Sequence, residues 1–253
     1  MKRWGVLALA CLLAPGWAQT DTRRSGLSYM GPATQAMQRD DSQNPAMLWV
    51  AEGEALWRAP AGRDQKSCMS CHGDAAQSMR GVAARYPAFD AASKLPLNLS
   101  QRIQQCRQSQ QQAAPWAAES QPLLSMETYV AHQSRGLSIA PPDDARLAPF
   151  TQRGQAVYAR RIGQIDLSCA QCHDGQAGQR LAGNPIPQAH PTGYPVYRLE
   201  WQGMGSLQRR LRNCMTGVRA EAPPFGAAEL VELELYLMQR AQGMALETPA
   251  VRP

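Results

Sequence analysis

Two short segments of this sequence each place two thiols and an imidazole within five residues: Cys68-Met69-Ser70-Cys71-His72 and Cys169-Ala170-Gln171-Cys172-His173. The C-x-x-C-H pattern suits covalent haem attachment, in which two thiols add to the vinyl groups while the next residue offers its imidazole to the iron. Rival chemistries need other contexts. Half a zinc site gives no reason for a histidine after each pair, nor for the pairs to recur at equivalent places in a repeat. A redox dithiol of the thioredoxin kind needs a strand-helix-strand unit, and no such pattern surrounds either segment.

Cys106 and Cys214 are the only other cysteines beyond the first twenty residues. An oxidising compartment would favour a disulfide between them. Against that, each follows its own C-x-x-C-H at an equivalent position, as a distal ligand would. The sequence therefore favours two iron–thiolate pairs, His72 with Cys106 and His173 with Cys214. Methionine is the usual alternative, but Met126 and Met238 fall on apolar helical stripes and read as core. Met215, beside Cys214, is a competing donor. His132 and His190 do not align between the repeats and read as surface or loop residues.

Arg102 and Arg210 each stand four residues before a distal cysteine, which on a helix puts guanidinium and sulfur on one face. A cation there stabilises a thiolate and could hold an anion against it. For Arg102 an exposed arginine or a haem-propionate partner is an equal reading. Around Cys214 the charge is denser, with Arg209, Arg210, Arg212 and Arg219, and that segment reads as an anion site.

These residues belong to two copies of one unit. Gly53-Glu54-Ala55-Leu56-Trp57 answers Gly154-Gln155-Ala156-Val157-Tyr158, Tyr86-Pro87 answers Tyr194-Pro195, and Arg102-Ile103-Gln104-Gln105-Cys106 answers Arg210-Leu211-Arg212-Asn213-Cys214. Helical spacing predicts a closing helix in each copy, through Leu123, Met126 and Val130 with a stop at Gly136, and through Leu230, Val231, Leu237 and Met238 after Pro223-Pro224. Pro141-Pro142-Asp143-Asp144 reads as the linker. Alternating strand patterns are absent, so a mostly α architecture with long loops is expected.

The expected boundaries are a signal peptide at 1–18, a polar extended arm at 19–45, a first domain at 46–140 and a second at 145–253. Lys2 and Arg3 precede an apolar run from Trp4 to Ala14 and then small residues at Gly16 and Ala18, a secretory pattern implying the periplasm. Cys11 would serve as a lipoprotein site only if cleavage fell after Leu9-Ala10, a poor fit. No later stretch reaches the roughly 20 apolar residues of a membrane span. Removing Lys2 and Arg3 lowers the formal charge from +6 to +4. That surplus forms no like-charged block, which argues against nucleic acid and favours anionic substrates.

At Gly193-Tyr194-Pro195-Val196-Tyr197-Arg198, Met204-Gly205-Ser206-Leu207, Arg210 to Cys214 and Arg219-Ala220-Glu221, the sequence resembles the SoxA family of dihaem cytochromes. The resemblance implies two tandem class I cytochrome c-like domains carrying two covalent haem c groups, on Cys68 and Cys71 and on Cys169 and Cys172. Axial ligands would be His72, Cys106, His173 and Cys214. It further implies that Cys214, which can carry a persulfide, and Arg210 form the catalytic site. There thiosulfate would be joined oxidatively to a cysteine of the carrier SoxYZ, with electrons passing to the monohaem partner SoxX. A tetrathionate-forming thiosulfate dehydrogenase is the enzymatic alternative. A plain electron carrier would pair Cys106 with Cys214, and a dihaem peroxidase would need an open iron.

Overall fold

The computed structural model describes residues 21–253. The expected leader, with Cys11, lies outside the described residues.

Where the sequence predicts an extended arm, the chain folds. A 3-10 turn (Gly26–Tyr29) leads into helix α1 (Pro32–Arg39), with Pro32 in the first turn, where its missing N–H costs nothing. The segment lies on its own C-terminus. Gln38 Oε1 accepts from the Val251 backbone N–H at 3.1 Å, and Asn44 Nδ2 donates to the Pro249 carbonyl at 2.9 Å. Buried amide–backbone bonds of this kind leave no apolar period in the sequence, which is why the helix is hidden there.

The first half continues with α2 (Met47–Arg58), α3 (Cys68–His72), α4 (Ala75–Ser78), strands β1 (Ala88–Asp90) and β2 (Leu95–Leu97), α5 (Leu99–Gln110) and α6 (Gln121–His132). The second half contains α7 (Ala148–Ala159), α8 (Cys169–His173), the hairpin β3 (Arg180–Leu181) and β4 (Asn184–Pro185), strands β5 (Val196–Arg198) and β6 (Gly203–Gly205), α9 (Leu207–Gly217), α10 (Ala228–Arg240) and β7 (Ala250–Arg252). Helices dominate, as expected. The strands are two or three residues long, too short to show alternation. The stretch 141–144 carries no helix or strand.

Both halves are built on one helix crossing, α2 with α6 and α7 with α10. At each crossing a glycine lets the backbones touch: a Cβ on Gly53 would collide with the Ser125 carbonyl, and one on Gly154 with the Glu232 carbonyl. This explains why a glycine opens the repeated segment in both copies. The closing helices bury the expected stripes, including Leu123, Met126 and Val130 on α6 and Leu230, Val231 and Leu237 on α10.

The halves are not self-contained. Met238, Ala241 and Leu246 from the second half complete the core that surrounds Trp57, Met126 and Tyr129 of the first. The chain beyond α10 then runs along residues 136–139. Gly136 N–H donates to the Leu246 carbonyl at 2.8 Å and Ile139 N–H to the Met244 carbonyl at 2.8 Å. Strand β7 adds in parallel to β5, whose other edge pairs antiparallel with β6.

Candidate functional site

Each C-x-x-C-H segment folds as one helical turn started by the serine before it. Ser67 Oγ accepts from the Ser70 N–H and Ser168 Oγ from the Gln171 N–H, satisfying a donor the short helix leaves free. The aromatic residue ending the preceding long helix ties down the far end. Trp57 Nε1 donates to the Gly73 carbonyl at 3.0 Å, and Tyr158 Oη donates to Asp174 Oδ1 at 2.9 Å. Thiols three residues apart therefore project on one side of an anchored turn.

All six cysteines of the described residues are free thiols, Cys71 exposed and the other five half-buried. Burial pushes Cys68 and Cys169 up to about 11, which keeps them protonated at neutral pH. Cys106 on α5 is near enough to Cys68 and Cys71 for their charges to interact, and Cys214 on α9 bears the same relation to Cys169. Cys106 and Cys214 thus face separate C-x-x-C-H turns and are not joined to each other.

The donors fit haem chemistry. His173 Nδ1 lies 2.7 Å from the Pro187 carbonyl. A carbonyl only accepts, so Nδ1 carries the proton and Nε2 keeps its lone pair for a metal. Burial also lowers the His173 pKa, favouring the neutral ring. The His72 ring lies 5.7 Å from the Trp57 ring. Met126, Met215 and Met238 are buried among apolar side chains, as the apolar stripes predict for the first and third, and Met215 joins them in the core. His190 lies in a loop, one of the two places its reading allows, and is buried there, with Nδ1 3.1 Å from the Arg24 carbonyl of the N-terminal segment. His132, read as a surface or loop residue, instead closes helix α6 and is half-buried there.

The two arginines four residues before the distal cysteines differ. Arg102 Nη2 donates to Asp90 Oδ1 at 3.0 Å. Asp90 is fully committed as an anion: the Ser93 backbone N–H and hydroxyl, and then Arg102, hold its carboxyl down to about 2. Arg210 has no carboxylate partner among the described residues. The Cys214 sulfur nearby raises its pKa further above the usual guanidinium value, against an opposing effect of burial, and Tyr194 lies close to both.

The dense positive segment is narrower than its sequence suggests. Arg209 stacks 4.0 Å over the Trp201 ring, and Arg212 stacks 4.5 Å over Phe225 and donates to the Pro223 carbonyl. Arg219 is exposed beyond the end of α9. Arg210 is the one whose charge interacts with Cys214 while it makes no ion pair among the described residues. Asp90 and the tethers from Trp57 and Tyr158 escape motif reading, and the signal that finds them is position within the repeat.

The family model described as the SoxA/TsdA cytochrome c domain matches residues 52–139 and 153–246. The L-cysteine S-thiosulfotransferase subunit SoxA of Pseudaminobacter salicylatoxidans is 36% identical over 240 residues, covering 94% of this chain and 84% of the relative. That of Rhodovulum sulfidophilum is 32% identical, covering 92% and 81%. Among solved structures, the crystal structure of SoxXA from P. pantotrophus contains a chain of TM-score 0.88 and 32% identity, covering 91% of this chain and 87% of that one. Both C-x-x-C-H turns lie inside the matched cytochrome c domains, so the chain binds haem c. Likeness that runs through both halves and nearly the full length of its relatives makes this chain a member of the SoxA family of c-type cytochromes.

Proposed function

We propose that this chain is the catalytic dihaem subunit of a periplasmic L-cysteine S-thiosulfotransferase. It joins thiosulfate to a cysteine thiol of the carrier SoxYZ and passes the electrons to a SoxX-type monohaem partner. Cys68 and Cys71 hold one haem and Cys169 and Cys172 the other, with His72, Cys106, His173 and Cys214 as axial ligands. Carrier thiol and thiosulfate form one S–S bond, releasing one proton and two electrons. Bound haem supplies the electron-accepting chemistry.

The observation that carries this reading is the pairing of Arg210 and Cys214 on one face of α9, with the guanidinium charge unclaimed by any described carboxylate. Arg210 binds the dianion through paired N–H donors, which a point-like ammonium cannot reproduce. Cys214 offers the sulfur against which thiosulfate is held, with a persulfide as its working form. Tyr194, near enough to Arg210 and Cys214 for their charges to interact, borders the site. Names of the relatives, the structural likeness to SoxXA and the secretory pattern at 1–18 support the partners and the compartment. Among the described residues no helix is long and apolar enough to cross a membrane.

The test is mass spectrometry of SoxYZ after incubation with thiosulfate, the SoxX complex of this chain and an electron acceptor. A thiosulfate adduct on the carrier cysteine is expected. Tetrathionate formed at the same rate with or without the carrier would instead make the chain a thiosulfate dehydrogenase.

A further inference from the structure

The two halves carry the same local framework around their distal cysteines. In the first, β1 pairs with β2, Ala88 opposite Leu97 and Asp90 opposite Leu95, and Asn98 caps α5 with Arg102 and Cys106. In the second, β5 pairs with β6, Val196 opposite Gly205 and Arg198 opposite Gly203, and Ser206 caps α9 with Arg210 and Cys214. The registers coincide. Asp90 and Arg198 are therefore the same position, ending the first strand of each hairpin, and they carry opposite charge.

In the first half, the Asp90 side chain, only 6% exposed, is bonded to Arg102. At distances well beyond their separation the two opposite charges largely cancel, so Arg102 offers an approaching dianion a weaker field than an unpaired guanidinium would. In the second half the strand end supplies a cation instead. Arg198 binds Glu200 through Nε at 3.1 Å and Nη2 at 2.5 Å. Glu200 is the carboxylate whose charge reaches Arg210, and Arg198 keeps it occupied.

We propose that this position is a specificity determinant for the site. Asp90 closes the arginine–cysteine pair of the first half to sulfur oxyanions, and Arg198 keeps that of the second half open by withholding a carboxylate from Arg210 and engaging Glu200. Arg198 is a positioning residue, acting through Glu200 on Arg210 without touching the reacting sulfur. The proposal rests on the reading of Arg210 and Cys214 as the anion site. It explains why one of two similar haem environments would do the chemistry.

Equilibrium dialysis of radiolabelled sulfate, a redox-inert dianion, against the haem-loaded chain counts sites and affinities without turnover. Wild type is expected to hold one sulfate. Arg198→Gln and Arg198→Asp should weaken it at least tenfold, the first by releasing Glu200 and the second by adding a carboxylate. Asp90→Asn should add a second site within tenfold of the first in affinity, and adding Arg102→Gln should remove it again. Visible spectra of both haems check that each variant is folded, and the Arg198 pair keeps the test alive if Asp90→Asn is not. Loss of binding in Arg210→Gln, together with wild-type affinity in both Arg198 variants and no new site in Asp90→Asn, overturns the proposal while leaving the Arg210 site standing. Unchanged binding in Arg210→Gln would instead sink the Arg210 reading and this proposal with it.

Discussion

Glu127 on α6 and Glu234 on α10 line one cavity of about 390 Å³ from opposite halves of the chain. They are repeat equivalents, each two residues before the tyrosine at its helix crossing, Tyr129 and Tyr236. Asn98 Nδ2 donates to the Glu234 carboxyl at 3.2 Å, whereas Glu127 Oε2 is buried with no partner. Burial first, and then for Glu127 the charges of Glu234 and Glu119, push Glu127 up to about 8 and Glu234 up to about 7.

A stability profile follows from that pair. In the unfolded chain both carboxyls ionise near 4.5, while the fold holds their protons until about 7 to 8. Their contribution is therefore fully present below about pH 4.5 and is lost as pH rises through 7 to 8. Glu127→Gln should be ~2 kcal/mol or more stabler than wild type at pH 8 and nearly equal to it at pH 4.5. Urea unfolding at the two pH values measures this, and equal offsets at both would contradict it.

Ligation can be read half by half. Cys106→Met and Cys214→Met should each keep both covalent haems, because attachment uses other thiols, and each should raise the potential of one haem only, since thiolate donation favours ferric iron. Electron paramagnetic resonance with a redox titration reports both. Carrier conjugation should survive in Cys106→Met and vanish in Cys214→Met. The reverse pattern would place the active haem in the first half.

Arg210→Lys keeps the charge and loses the planar fork, so kcat/KM for thiosulfate should fall at least ~100-fold, about 2.7 kcal/mol of transition-state stabilisation. Arg102→Lys, already neutralised by Asp90, should stay within about threefold of wild type. Steady-state rates with SoxYZ and an electron acceptor separate the two.

The helix crossings make a packing prediction. Alanine at Gly53 or at Gly154 drives a methyl into a facing carbonyl, and each should cost about 2 kcal/mol or more by forcing the helices apart. Thermal unfolding of the haem-loaded protein measures the cost, and alanine at Gly31, whose Cβ meets nothing within 4 Å, is the control.

Asn44→Ala removes the amide that donates to the Pro249 carbonyl and leaves that acceptor buried. The expected loss is ~1–3 kcal/mol. Wild-type affinity for the SoxX-type partner should be retained, because this segment is docked on its own chain. Size-exclusion titration tests the second half of the statement, and a large loss of partner binding would place the segment at the partner interface.

Local chemistry was legible because it is written in residue types at fixed spacing: two C-x-x-C-H turns, and Arg102 with Cys106 and Arg210 with Cys214 one helical turn apart. The closing helices were legible through their apolar period. What sequence hid was pairing at a distance. Nothing near Arg102 announces Asp90, and nothing near Arg209 or Arg212 announces that Trp201 and Phe225 engage them. Helix α1 was invisible because its anchors are the amides of Gln38 and Asn44, not an apolar face.

The return of the chain along residues 136–139 has a bearing on the order of events during synthesis. Met238, Ala241 and Leu246 follow Trp57 by more than 180 residues, yet they finish the core around it. The first half of a nascent chain is therefore partly built until those residues arrive, and Trp57, the residue that tethers the first C-x-x-C-H turn, lacks its final packing until then. The turn bearing Cys68 and Cys71 is thus fully braced only once residues 238–246 have been delivered, and a chain truncated before Leu246 loses packing at a site far removed in sequence.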